Sequence, residues 1–374
     1  MLDKKTGLER ATAALKNLFV ADSLAMPAHW FYRTSDIYQA FPGGVDSFKD
    51  APNQHPSSIM SLHSTSQGGR KKPGKNTQQQ IIGDVILKGK RCFWDKPNIH
   101  YHHQMKAGEN TLNAHCARVL IRTLIENGGH YDSTIFLNNY IKFMTSDTPE
   151  HNDTYAESYH RGFFNNLANG KPANQCGAKT HDTASIGGLV TIAPIVLTER
   201  LQGTALDDVQ SLCKEHLYLT HPDNKLALIC THYVNLIDRL LFRKASSSVA
   251  DILNSISISS TGLNLKKLDS TVKDDSEVIG NRYSSACYIE HSWPATLYLA
   301  YHYRENAKQA LIANTNLGGD NVHRGCLLGV IFGLISGKTI ESLYADLVDQ
   351  KQITQEISDL FNPTKGALFK HTQD

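Results

Sequence analysis

The stretch Asn314-Thr315-Asn316-Leu317-Gly318-Gly319-Asp320-Asn321-Val322-His323-Arg324-Gly325 decides how this chain is read. Paired glycines let a backbone approach a ligand without Cβ clashes. The acid that follows then stands at a helix start, where the positive end of the helix dipole favours it. Leu327, Leu328, Ile331 and Leu334 carry the helix onward. Gly325, Gly329 and Gly333 recur every four residues, marking one helix face for close packing against a second backbone. Far upstream, Gly108-Glu109-Asn110-Thr111 has the same character and opens a helix of Leu112, Cys116, Val119, Leu120 and Leu124. Asn110 or Thr111 is its expected N-cap, since either side chain can accept from exposed backbone N–H groups. The simplest arrangement brings both turns together in one all-α domain spanning residues 1–374.

Other helical patterns agree. Leu8, Ala11, Leu15, Leu18 and Phe19 share one face, and Pro27 is placed to end that helix. Phe163 to Ala168 forms a short helix. Ile186, Leu189, Val190, Ala193 and Leu197 line another, with a kink expected at Pro194. Leu226 to Leu241 is long, and Pro294 to Tyr303 starts on a proline. Leu343, Leu347, Ile353, Ile357 and Leu360 mark the last helical stretch. Residues 41–83, rich in Pro, Gly, Ser, Asn and Gln, read as a long irregular excursion with the character of a lid. No alternating strand pattern stands out.

The 374 residues are 40% hydrophobic and 20% charged, ordinary globular values that allow a sizeable core. A net charge of +2 argues against a nucleic-acid surface. The only dense basic run, Arg70 to Lys75, reads as a solvated loop. Seven scattered cysteines form no Cys-x-x-Cys pair, which points to reduced, buried thiols in a cytoplasmic protein. No apolar run reaches membrane-spanning length, so no membrane partner is expected.

Four polar segments can carry chemistry: the two turns, Asp22 with His29, and His181-Asp182-Thr183-Ala184-Ser185 before Gly187-Gly188. The last could hold phosphate on helix N–H groups. Each is, by local pattern alone, also an ordinary cap or a satisfied polar side chain. His100, His102 and His103 suit a transition metal by residue type. No Walker loop, dinucleotide-binding glycine fingerprint or Gly-x-Ser-x-Gly elbow is present.

Taken together, the segments resemble the ADP-ribosylglycohydrolase superfamily. Val20-Ala21-Asp22-Ser23-Leu24-Ala25-Met26-Pro27-Ala28-His29 is similar to that family's Gly-Asp-Ala-Leu-Gly-x-Pro-x-Glu opening. Gly108-Glu109-Asn110-Thr111 stands in the place of Thr-Asp-Asp-Thr, and Asn316 to His323 in the place of Gly-Gly-Asp-Thr-Asp-Thr. Ser185 to Pro194 resembles the helix lining the family's cleft. The resemblance implies an all-α bundle that cleaves N- or O-glycosidic bonds to ADP-ribose. It also implies two magnesium ions between the acidic turns, orienting ribose hydroxyls and a water.

The departures fall on the chemistry. Gly108 replaces a threonine ligand, while Glu109 and Asn110 replace two aspartates. Val322 replaces the second late aspartate, His323 the last threonine, and His29 a glutamate. Magnesium prefers oxygen ligands, so one ion or none is expected in preference to two. The resemblance implies Glu109, Asp320, His29 and His323 as catalytic groups. Asp22, Asn110, Thr111, Ser185, Gly187, Gly319 and Asn321 become substrate-binding residues, and Glu109, Asn110 and Asp320 metal ligands. The altered pattern also resembles the branch containing J-type lens crystallins. Two functions are therefore carried forward. One is hydrolysis of an ADP-ribosyl or related ribosyl bond, on an ADP-ribosylated protein or a small ADP-ribose-containing molecule. The other is an inactive nucleotide-binding or crystallin-like role.

Overall fold

The computed structural model describes residues 4–63, 65 and 80–362. Fifteen α-helices lie among them, with no strand and only isolated bridges. They are α1 (Lys4–Ala25), α2 (Thr34–Ala40), α3 (Leu112–Glu126), α4 (Ser133–Met144), α5 (Ser158–Ala168), α6 (Ile192–Gln202), α7 (Leu206–Thr220) and α8 (Asn224–Leu241). Then follow α9 (Val249–Thr261), α10 (Leu265–Asp269), α11 (Ile289–His302), α12 (Ala307–Asn316), α13 (Asn321–Ser336), α14 (Glu341–Tyr344) and α15 (Gln350–Phe361).

The centre is the pair α1 and α13. Every residue of α13 from Asn321 to Leu334 is buried, as expected of a helix apolar on all sides and surrounded by others. Its glycine stripe works as the spacing predicts. A Cβ on Gly333 would lie 2.4 Å from Ala14 Cα, and one on Gly329 would lie 2.2 Å from the Asn17 carbonyl oxygen. The backbones therefore meet where side chains would hold them apart. Asn17 then clamps the exit of α13, donating to Lys338 O at 3.1 Å and accepting from Ile340 N at 2.9 Å. Helices α6, α8, α11 and α12 pack around this axis, and one hydrophobic cluster runs from Ala11 to Leu360. The α3–α15 contact is polar: Arg118 reaches Glu356 and Asp349 together.

Several sequence expectations shift. Pro194 does not kink a helix; it sits in the first turn of α6, where a missing N–H costs nothing. Pro294 lies inside α11, which begins five residues earlier at Ile289. The irregular excursion extends beyond residue 83 to Thr111; among its described residues the helical pieces are two short 3-10 turns, at Met60–Leu62 and Arg91–Phe93. Its described part is not a free flap. Val45 exchanges two hydrogen bonds with the Asn316 amide, and His55 Nε2 donates to the His29 carbonyl at 3.0 Å. Arg70 to Lys75 lie outside the described residues. No described helix is long and apolar enough to cross a membrane. Cys116, Cys176, Cys213, Cys230 and Cys326 are buried free thiols, whereas Cys92 is exposed and Cys287 partly so.

Candidate functional site

Helix α1 ends at Ala25, and a 3-10 turn over Met26–Ala28 delivers His29 and Trp30 to the centre of the molecule. Trp30 has φ +60°, a left-handed conformation that is costly for a bulky residue. Reciprocal backbone bonds hold it there: Trp30 N donates to Gly319 O at 2.8 Å, and Gly319 N donates to Phe31 O at 2.7 Å. The first and third motifs are thus joined through their backbones. This revises the reading of the paired glycines. A Cβ on Gly318 would meet Phe31 O at 2.2 Å, and one on Gly319 would meet Ser285 O at 2.0 Å. These glycines let three backbone segments meet, rather than admitting a ligand.

Asp320 is the N-cap residue of α13, yet its side chain makes no capping bond. The carboxylate serves a buried chain of polar contacts instead. Asp153 Oδ1 accepts from His102 Nδ1 at 2.8 Å. His102 Nε2 meets His29 Nδ1 at 2.7 Å, and His29 Nε2 lies 3.2 Å from Asp320 Oδ1. The same oxygen lies 2.7 Å from His323 Nδ1, and His323 Nε2 faces Glu157 Oε1 at 3.4 Å. The Asn113 amide also contacts His323 Nε2. The series Asp153–His102–His29–Asp320–His323–Glu157 therefore links three acids and three imidazoles through the interior, with His102 and His29 in direct contact.

Burial and charge divide the protons along it. Burial pushes His29 down to about 3, so its ring is neutral at pH 7. Burial opposes the cation at His102 too, but the neighbouring Asp153 outweighs it and raises that ring. His323 is held up at about 10, because Asp320 and Glu157 outweigh its desolvation. Burial opposes ionisation of Asp153 and Asp320 as well, yet His102 holds the first down at about 2 and His323 keeps the second well below the usual range.

The Glu157–His323 end opens on a cleft of about 230 Å³. Trp30, Tyr101 and Tyr155 form its aromatic wall, their ring centroids 4.6 to 5.0 Å apart and edge-to-face. Ser185 and Cys287 also line it. Gly187 stands beneath His323, where an added Cβ would come within 3.4 Å of the ring.

The second motif behaves differently. Thr111 caps α3 without a side-chain bond; Asp153 Oδ2 takes the Leu112 N–H instead, at 2.7 Å. Asp22 accepts from Asn110 Nδ2 and Thr111 N, both at 2.8 Å, and from Thr111 Oγ1 at 2.6 Å. Asp22, Asn110 and Thr111 thus fasten the turn to α1. Glu109 does not join Asp320. Its carboxylate accepts from Lys106 N and Asn152 Nδ2, and it lines a separate cavity with His115, His151 and Asp349. Asn321 spends its amide donors on Ala28 O and Thr315 O. Of the histidine run, only His102 enters the polar chain. His100 donates to Pro27 O and accepts from His102 N, so no His100–His102–His103 metal site forms.

His102 apart, the residues that sequence reasoning missed are Trp30, Tyr101, Asp153, Tyr155 and Glu157. All stand in or beside loops, and no periodicity marks them. The segment Asp153-Thr154-Tyr155-Ala156-Glu157, with two acids just before a helix, is the only local signal.

The comparisons follow this geometry. The family model described as ADP-ribosylglycohydrolase matches residues 3–368. Among solved structures, a chain titled "ADP-ribosylglycohydrolase-related protein complex" is similar over 96% of this chain and 99% of its own. The TM-score is 0.58 at 16% identity, a likeness of fold. No curated protein matches. The chain belongs to the ADP-ribosylglycohydrolase family, whose name denotes hydrolysis of ADP-ribosyl glycosidic bonds.

Two magnesium ions do not fit the residues present. Among the described residues, the group able to hold an ion is His29, Asp320 and His323, whose ligand atoms lie within 4.8 Å of one another. It offers one carboxylate and two imidazoles, whereas magnesium demands oxygens in near-octahedral array.

Proposed function

We propose that the protein hydrolyses an ADP-ribosyl or related N- or O-ribosyl bond, without the paired magnesium ions implied by the family resemblance. The observation carrying this reading is the meeting of the buried acid–imidazole series with an aromatic cleft at His323 and Glu157. An adenine or nicotinamide-like ring stacks on Trp30, Tyr101 and Tyr155, which places the ribosyl group over the polar floor. Glu157 takes a proton from the water that adds to the anomeric carbon; the departing nitrogen or oxygen carries its electron pair away and receives that proton from Glu157. Asp320 and His29 fix the position and charge of His323 beside it. Ser185 contributes a hydroxyl from the cleft lining. Glu109 has no part in this set.

The test is release of free ADP-ribose from ADP-ribosylated arginine and serine peptides. Wild-type protein is expected to turn over at least one of them. Glu157→Gln should lose roughly 10²- to 10⁴-fold in rate, as expected on removing a general base, while still showing a thermal shift with ADP-ribose. Failure of the wild type on every ADP-ribosyl substrate would sink the proposal.

A second reading, an inactive nucleotide-binding or crystallin-like protein, draws on the second motif. Asn110 and Thr111 are bound to Asp22 rather than aimed at the cleft. A thermal shift with ADP-ribose but no turnover favours the binding form of that reading; no shift with any nucleotide favours a structural role.

A further inference from the structure

We infer that His29, Asp320 and His323 form a binding site for one imidazole-preferring transition-metal ion of the zinc, iron or cobalt type. This concerns the same pocket as the proposed hydrolase but does not require turnover.

The inner donors have the composition for such an ion, and their ligand atoms all lie within 4.8 Å of one another. Two imidazoles and one carboxylate suit these metals, whereas magnesium selects oxygens. Ligand atoms around one ion with bonds of roughly 2.1 Å stand about 3 to 3.4 Å apart. His29 Nε2 lies 3.2 Å from Asp320 Oδ1, and His323 Nδ1 lies 2.7 Å from the same oxygen. The second contact is not a hydrogen bond despite its closeness; His323 Nδ1 has no hydrogen-bond partner. A close approach outside hydrogen-bond geometry, between a ring nitrogen and a carboxylate oxygen, fits neighbours that can share an ion. Asp320 Oδ2 is also buried without a partner, a cost a protein rarely leaves unmet.

The outer contacts point the same way. Ligating histidines characteristically place their other ring nitrogen on a carboxylate or similar acceptor, which fixes tautomer and orientation. Both rings here do so. His29 Nδ1 meets His102 Nε2, whose ring is within 5° of coplanar and is itself anchored by Asp153. His323 Nε2 faces Glu157. Two independent rings, each backed by an acid directly or through one imidazole, converge on one buried carboxylate. A hydrophobic core needs no such arrangement, and a single salt bridge would need half of it. The ion would take the place of the protons now lying between the rings and Asp320.

The test uses the full chain, stripped of metal and titrated with Zn²⁺ and with Co²⁺. One equivalent of each is expected to bind, with the visible Co²⁺ spectrum of a nitrogen- and oxygen-ligated site. Asp320→Asn and His323→Ala should abolish that spectrum. Asp153→Asn and Glu157→Gln should keep it and weaken affinity roughly 10- to 100-fold, the usual effect of losing an outer partner. The wild-type titration stands even if a variant fails to fold. Absence of stoichiometric Zn²⁺ and Co²⁺ binding by folded wild-type protein overturns the inference, and so does binding that survives loss of both Asp320 and His323. One bound ion without turnover leaves the inference standing and removes the hydrolase. Turnover by protein that binds no transition metal does the reverse.

Discussion

His29 Nδ1 and His102 Nε2 lie 2.7 Å apart with their rings within 5° of coplanar, so one imidazole holds the other. His29 is therefore set by a residue 73 positions away, and His102 in turn by Asp153.

Asp153 should accordingly be a stability hot spot. It holds His102 and also accepts the first N–H of α3. Asp153→Ala leaves the buried His102 ring without its carboxylate partner and a helix start without its acceptor. The expected loss is about 3–5 kcal/mol, typical of breaking a buried pair, read from urea denaturation. The pH dependence has a defined sign. The folded state holds Asp153 below its ordinary value, at about 2. Its contribution is thus complete above the unfolded value of about 4 and is lost as pH falls from there through about 2. Asp153→Asn should flatten the wild-type loss of stability in that window.

Thr111→Val tests the fastening of the second turn. The hydroxyl donates to Asp22 Oδ2 at 2.6 Å inside the protein. Replacing it with a methyl group leaves a buried carboxylate oxygen short of a donor, at a cost of about 1–3 kcal/mol. An unchanged unfolding midpoint would show that Asp22 finds another partner.

Gly333→Ala opposes two effects. Alanine favours a helix interior by about 1 kcal/mol over glycine. The added Cβ would, however, lie 2.4 Å from the Cα and N of Ala14, which are backbone atoms with no rotamer to change. Overpacking of this kind costs about 1–3 kcal/mol, so net destabilisation is expected. A thermal melt of the variant at or above the wild-type midpoint would contradict the α1–α13 contact.

Close packing of α13 on another helix is readable because a four-residue glycine period is a property of one helix; that the partner is α1 is not. The long apolar helices and the motifs around Asp22 and Asp320 are readable too. Helix α9 is not: Ser255, Ser257, Ser259 and Ser260 alternate with β-branched residues of modest helix propensity. The Ser248 cap and Gly262 in the left-handed conformation bound that helix, and its apolar face packs on α8 and α11. The polar chain is harder still. Its members come from residues 29, 102, 153, 157, 320 and 323, five of them outside helices, where the local sequence carries no period. Only folding brings them into line.

The contrast between Glu109 and Glu157 separates motif from geometry. Motif position favours Glu109, which replaces a metal-binding aspartate of the family pattern. Its carboxylate is instead held by Lys106 N and Asn152 in a different cavity. Glu157 has no motif, yet it lines the aromatic cleft and faces His323 at 3.4 Å. On the proposed hydrolase activity, Glu109→Gln should leave kcat little changed, because the partners of Glu109 lie in a separate cavity and not in the cleft. Glu157→Gln should cost roughly 10²- to 10⁴-fold. Steady-state kinetics of the two variants on one substrate decides between them. Equal losses, or a larger loss at Glu109, would return the chemistry to the second motif and remove Glu157 as the base.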